Sequence, residues 1–499
     1  MTIGGAERGT PDAAPGGSTW LERRLGLVYA ALVALTTEPI AIWPIPRSWD
    51  LVDHWARLTL YHMAPGDPLA ALYAVNWAVI PNLALDLAYL ALSPVLSPES
   101  AIRLAWIASI ALPAWGAWRL NNALNGAPQP ALLLVPAISY NLVTTLGLIN
   151  FALGMGLALH AFAWWLTIDR RRAWTRLVLF NAIAVATFFC HLAAWAALAL
   201  VVALYEATAP GRTTWPARAR RGLWAAAHFV AALGLWAMAP PIESRFGGPG
   251  SKLAALAAPM FADTATAGVI ATFALTLLIV IALVARRAAI VPAMRGTLWG
   301  LAIVVAVAPS ALGAGDFLDA RLAVLLAYLA LASLAGPRGA RAKQALAVLA
   351  LAVVAARFAV AAPQWALYDR QAAELREAIR AVAPGSRVLV VAPPRAVCPA
   401  SDAEAFYRGL ANFVVVDRRA MVSTLFVGRG MQPVAARDPR FSATPWAPPR
   451  ADGLARELPD WRELYDALIA LHVDCAWRPD FPGLIEIGGT AEATIYRLR

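Results

Sequence analysis

Long apolar runs separated by short basic clusters dominate the chain. Such runs cover residues 25–45, 82–96, 101–120, 131–148, 151–168 and 177–205, then 223–238, 268–285, 298–312, 322–334 and 345–361. A transmembrane helix needs about 20 apolar residues, so the pattern predicts about 10 to 13 spans, the interrupted runs leaving the number open. The run 177–205 exceeds one span and carries His191 at its middle, which suits two short helices meeting there. Asn141, Gly147, Asn150, Gly154 and Gly156 interrupt the runs before it and suit broken helices around a cavity. Beyond Pro363 the pattern changes to alternating helix and strand: helices at 365–382, 402–410 and 461–471, strands at 387–392, 413–416, 473–477, 484–487 and 493–498. That alternation predicts a small α/β domain over residues 363–499.

Composition agrees with the pattern. Hydrophobic residues make up 60% of the 499 positions, and mean hydropathy is +0.59. Soluble domains sit nearer 45–50% apolar. The net charge of +11 comes largely from clusters between spans: Arg23-Arg24, Arg170 to Arg172, Arg218 to Arg221, Arg286-Arg287 and Arg338 to Lys343. This is the positive-inside distribution, which excludes nucleic acid as the partner and places the N-terminus and basic loops in the cytoplasm. Residues 1–20 read as a disordered cytoplasmic extension. Residues 21–362 read as the transmembrane domain with an external loop at 46–81, and the C-terminal domain as extracytoplasmic. Counting every run up to residue 168 as a crossing puts Arg170 to Arg172 on the wrong side, so one of those runs must be re-entrant or no crossing at all. Of three cysteines, Cys398 and Cys475 can bridge if their strands are neighbours.

The polar exception is residues 46–58, directly after the first span, where Asp50, Asp53, His54 and Arg57 follow i, i+3, i+4, i+7 spacing and share one face of a helix. The opposite face, with Leu51, Val52, Leu58 and Leu60, suits a helix lying along the membrane surface. The plainer alternative is a capped helix with an Asp53–Arg57 pair. Three further candidates are Asp86, an acid one turn into an apolar run, His191, and a second polar turn with Asp316, Asp319 and Arg321. No zinc-protease, phosphate-loop or dinucleotide motif occurs, and no cofactor is expected from the sequence.

This layout resembles the GT-C class of integral membrane glycosyltransferases, in particular uncharacterised bacterial GT-C-like proteins. The resemblance rests on Asp50-Leu-Val-Asp-His-Trp-Ala-Arg57, Pro81-Asn-Leu-Ala-Leu-Asp86 and Asn150-Phe-Ala-Leu-Gly-Met-Gly156. It implies a polyprenyl-phosphate sugar as donor, a glycan or lipid as acceptor, a bacterial inner-membrane location and an essential acid in the first external loop. Many members carry two adjacent acids, whereas Leu51-Val52 separates the two here, so the residues give no support for a divalent metal. On this reading Asp50 is the base and Asp53 the second catalytic carboxylate. Arg57 and Arg321 meet the donor phosphate, and His54, Asp86, His191 and Asp319 line the substrate site. The alternatives are a transporter or lipid flippase, and a non-catalytic protein of envelope polysaccharide assembly.

Overall fold

The computed structural model describes residues 20–210, 214–239, 244–261, 270–271, 274, 289–312, 315–336, 339–398, 402–427, 432–442, 448–473 and 475–499. The N-terminal extension before Trp20, most of the expected span 268–285 and Arg286-Arg287 lie outside the described residues. Five helices among the described residues are long and apolar enough to cross a membrane, which makes the chain compatible with a helical membrane protein. Three shorter apolar helical segments, Pro130–Thr145, Leu192–Thr208 and Pro292–Val307, accompany them.

In chain order α1 is Trp20–Thr37, α2 Leu51–Leu60, α3 Ala84–Leu92, α4 Pro98–Asn125 and α5 Leu142–Thr145. Then follow α6 Ile149–Thr167, α7 Ala173–Cys190, α8 Leu192–Thr208, α9 Trp215–Ala226, α10 Arg295–Val307, α11 Leu318–Ala332 and α12 Ala340–Ala378. The 177–205 run divides at His191, as its length implied: its extended backbone closes α7 and opens α8.

Close contacts between α4 and α6 fix their relative direction. A Cβ on Gly156 would lie 2.8 Å from Pro113 N, one on Gly116 would lie 2.7 Å from Leu159 Cβ, and Arg119 sits over the Trp164 ring. The two helices therefore run parallel, and residues 126–148 must carry the chain back along their length. They do so as a 3₁₀ stretch, Pro130–Ile138, followed by the single turn α5, with two prolines in the stretch to prevent a regular helix. The run 82–96 yields only the nine-residue α3, too short to span. Removing it as a crossing brings Arg170 to Arg172 to the same end as Arg23-Arg24 and resolves the charge conflict. At that end Arg170 pairs with the buried Glu206 at 2.9 Å, and Arg176 stacks on Trp165 at 4.0 Å.

At the other end, α12 carries the chain out of the apolar bundle without a break. The separate amphipathic helix expected at 365–382 is instead the last part of α12, which continues through Pro363. Beyond it come β2 Arg387–Val391, α13 Asp402–Leu410, α14 Phe413–Arg418 and β3 Met421–Val422. A strand expected at 413–416 is thus the helix α14. Then come β4 Val434–Ala436, β5 Ala467–Leu471, β6 Leu484–Gly489 and β7 Ala493–Leu498; of the expected helix over 461–471 only the turn Trp461–Leu464 is helical and its end is β5, and the described residues of the expected strand 473–477 form no strand. The sheet has the order β6-β7-β5-β2-β3, with β5, β2 and β3 parallel and β6, β7 and β5 antiparallel neighbours. Cys398 and Cys475 form a disulfide with a Cα separation of 6.0 Å. A lone strand, β1 at Tyr73–Val75, pairs antiparallel with β4, joining the first loop to the C-terminal part.

The buried side chains form two clusters. One fills the helical bundle. The other merges α2, α3 and the first half of α4 with the end of α12 and the five-stranded sheet. Consequently α2 does not lie on a membrane surface: every residue from Leu51 to Leu60 except Asp53 is buried, on both faces, among α4, α13 and α14.

Candidate active site

Asp50 occupies the N-cap position of α2, yet its carboxylate makes no capping bond and no other hydrogen bond among the described residues. Backbone contacts fix it instead: Trp49 N donates to Thr145 O at 3.4 Å and Asp50 N to Leu146 O at 3.1 Å. This crossing requires Gly147, whose φ is +75° and where a Cβ would fall 2.4 Å from Ser48 Oγ. A second glycine matters as much: a Cβ on Gly409 would lie 2.4 Å from Trp49 O, so its absence lets α13 dock against Trp49 and present Arg408. The Arg408 guanidinium lies 5.9 Å from the Trp49 ring.

Asp53, one turn along, accepts from Phe426 N at 3.2 Å rather than pairing with Arg57. Both carboxylates sit deep among protein atoms with only part of their surface open. Burial raises the pKa of each; for Asp50 the charges of Arg408, Arg321 and Arg57 oppose the rise, whereas Asp53 is pushed further up by Asp50 itself. Asp50 is thus the carboxylate better able to ionise.

Arg57 turns away from this pair. Its Nε donates to Asp86 Oδ1 at 2.6 Å, Nη2 to Asp86 Oδ2 at 3.0 Å, and Nη1 to Gln432 Oε1 at 2.8 Å. Tyr61 adds a third bond to Asp86 at 2.6 Å. Arg57 Nη2 also donates to His54 Nδ1 at 2.9 Å, which assigns the imidazole proton to Nε2, where it is donated to Gly147 O at 3.2 Å. Burial, with the Arg57 charge, holds the His54 pKa down to about 3, so the ring is neutral. Burial works against the Arg57 charge, but Asp86 and Tyr61 outweigh it and keep its pKa above the ordinary arginine value. The group is a closed network that anchors α2 to α3.

On the bundle side, Arg321 is buried in α11 and close enough for its charge to act on Asp50. Its Nη1 meets His191 Nε2, and the guanidinium lies 5.6 Å from the Phe151 ring. Its Nε has no hydrogen-bond partner among the described residues. His191 Nδ1 accepts from Ala193 N at 3.1 Å. A neutral imidazole that accepts at Nδ1 carries its proton at Nε2, so two donors face each other there. Neither acid of the second polar turn holds Arg321: Asp316 pairs with Arg245 at 2.7 Å, and Asp319 with Lys252 at 2.8 Å and Ser310 Oγ at 3.0 Å.

The fold therefore brings Asp50, Asp53, Arg321 and His191 toward one another, and places Arg57, His54 and Asp86 in an adjoining anchor and Asp319 in a separate ion pair. Sequence reading missed Arg408, the Phe426 amide and Gln432, which come from more than 350 positions away and carry no local motif. Among the described residues no group of three or more His, Cys, Asp or Glu side chains is placed to hold a metal ion. Two carboxylates flanked by arginines are also a poor donor set for a cation, since the guanidinium charges compete for the same oxygens. No protein-family model matches the chain, and no curated protein matches it.

Proposed function

We propose that the protein is a membrane glycosyltransferase of GT-C-like architecture, with ten or more crossings, acting in a bacterial inner membrane. It moves a sugar from a polyprenyl-phosphate donor to a hydroxyl of a glycan or lipid acceptor on the extracytoplasmic face. The observation that carries this reading is the Asp50 carboxylate, a partly open acceptor with no hydrogen bond among the described residues, lying within the fields of Arg321 and Arg408. A base needs a free lone pair and access to the proton it removes. A leaving phosphate needs fixed cationic donors.

In this mechanism Asp50 takes the acceptor hydroxyl proton while the acceptor oxygen attacks the anomeric carbon. The bond from that carbon to the phosphate oxygen breaks, and the polyprenyl phosphate leaves with both electrons. Arg321 Nε, the Nε2–H of His191 and Arg408 oppose the charge that develops on the phosphate. An anion lodged between Arg321 and His191 also relieves the meeting of two donors. Arg57 and Asp86 take no part in the bond changes; they hold α2 and so aim Asp50. No step is routed through a metal, because the donor set does not favour one.

The test is sugar transfer by the purified protein in lipid nanodiscs supplied with polyprenyl-phosphate sugars. Transfer that Asp50→Asn abolishes, with donor binding retained, supports the reading. Transfer by Asp50→Asn at the wild-type rate, or movement of the intact lipid between leaflets without sugar release, overturns it.

A further inference from the structure

The outward side of α3 is apolar without interruption. At 3.6 residues per turn, Leu87, Ala88, Ala91 and Leu92 fall on one continuous arc of this helix, and all four are exposed, the two leucines at 44% and 47%. Val95, in the turn that follows, extends the arc and is exposed as well. Leu85, Asp86 and Tyr89 occupy the other side and are buried.

Both ends of α3 are tied to one end of the bundle. At its start, Leu83 N donates to Phe189 O at 2.7 Å in the last turn of α7, and Leu85 N donates to Asn150 Oδ1 at 2.8 Å in the first turn of α6. These helix ends lie opposite the Arg170 to Arg172 cluster. At its finish, Ser93 to Ser97 lead directly into the start of α4, which runs parallel to α6. A segment with both ends at the outer ends of spans crosses those ends and does not run down between them. The 18 residues of α7 rise about 27 Å, so its last turn, with the start of α3, reaches the far boundary of a ~30 Å hydrocarbon layer. Along α7 the exposed residues Trp174, Val178, Ala182 and Ala186 recur every fourth position, an apolar stripe that ends within a turn of Phe189, where α3 begins. Trp77, 49% exposed, stacks on Tyr61 at 5.4 Å, and Tyr61 in turn holds Asp86 on the inner side of α3. Tryptophan collects at the boundary between acyl chains and head groups.

We infer that α3 is an interfacial helix, lying in the leaflet at the outer ends of α4, α6 and α7, with lipid acyl chains covering Leu87, Ala88, Ala91 and Leu92. The arc continues the apolar stripe of α7, so one lipid layer covers both. Two leucines and two alanines fall well short of the ~1,200–2,000 Å² that a stable protein partner buries. The membrane-surface role that the sequence suggested for α2 thus falls to α3. Asp86 on its inner side grips Arg57, so the depth of α3 in the leaflet also sets the level at which α2, with Asp50 at its N-terminus, is held. The inference rests on the helical spans and stands whether or not Asp50 is a base.

The test places nitroxide labels on the full chain in phosphatidylcholine nanodiscs, through Leu87→Cys, Leu92→Cys or, as an aqueous reference, Ala491→Cys in the exposed turn between β6 and β7. Cys190→Ala in the background removes the free thiol and keeps its Cβ. Molecular oxygen concentrates among acyl chains and a nickel chelate stays in water. The oxygen-to-nickel collision ratio should be several-fold higher at Leu87 and Leu92 than at Ala491. A ratio at both positions equal to that at Ala491 overturns the inference in favour of water. Labels that neither reagent reaches overturn it in favour of a covering protein, a second copy included. A measurement on the unsubstituted chain guards against misfolded variants: photolysis with a phosphatidylcholine carrying a diazirine in its acyl chain should mark residues 84–92 as it marks α7. Adducts on α7 with none on α3 overturn the inference too. Neither readout involves sugar transfer, so failure here and failure of Asp50 as the base are told apart.

Discussion

Arg57 and Asp86 form a two-pronged, wholly buried ion pair, at 2.6 Å and 3.0 Å, between two helices 29 positions apart in the chain. Breaking one side of such a pair leaves an uncompensated charge and costs about 3–5 kcal/mol. Asp86→Ala should therefore lower the melting temperature in detergent steeply. Arg57→Met with Asp86→Leu should recover much of the loss, because the double change leaves no orphaned charge. A double mutant no more stable than Asp86→Ala alone would show that the pair does not anchor α2.

Asp50→Asn should reduce transfer by about 10²–10⁴-fold, the usual contribution of a general base, with donor affinity nearly unchanged. Asp53→Asn should cost far less, since its amide oxygen still accepts from Phe426 N. Single-turnover kinetics with a bound donor separate the two effects. An Asp53 variant worse than the Asp50 variant would exchange their roles.

The pH dependence follows from the charges around Asp50. A base must be ionised, so turnover should rise with pH through a midpoint above the ordinary carboxylate value of ~3.9, because burial raises the Asp50 pKa. Arg408 opposes that rise. Arg408→Gln should consequently move the acid limb of the kcat profile to higher pH, a displacement that loss of packing alone does not produce. An unmoved limb would remove Arg408 from the electrostatics of the site.

Asp53 makes a stability prediction of the opposite sense. Its folded-state pKa is raised, by burial and then by Asp50, so its contribution to stability is intact below the unfolded value and declines as pH rises through the folded one. At neutral pH Asp53→Asn should stabilise the protein by on the order of 1 kcal/mol, the gain shrinking toward pH 4. Thermal melts at the two pH values decide the sign.

The disulfide bears on topology. A Cys398–Cys475 bridge persists only in an oxidising compartment, so the C-terminal sheet should face away from the cytoplasm. A periplasmic reporter fused after Arg499 should be active, and thiol labelling of intact cells should find both cysteines blocked. A fusion active only in the cytoplasm would reverse the orientation.

How far the sequence could be read depended on how local each signal was. The charged face of α2 was legible because its i, i+3, i+4, i+7 spacing is a property of eight consecutive residues. The break at His191 followed from run length alone. By contrast, Val414-Val415-Val416 reads as strand by composition but is helical in α14, where tertiary packing overrides β-branched propensity. The stretch 82–96 read as a span because apolar content does not reveal where a helix stops; α3 ends after Leu92. Arg57 read as a phosphate ligand because its partner Asp86 and its contact Gln432 are brought to it only by the fold.

The pairing of β1 with β4 gives the protein a timetable. Residues 73–75 leave the ribosome early and their partners 434–436 late, about 360 residues apart. At ~5–20 residues per second that interval is roughly 20–70 s. For most of it the acids of α2 lack Arg408 and the Phe426 amide, so the nascent chain holds an unfinished site. A product truncated before residue 402 holds the two acids of α2 without either of these partners.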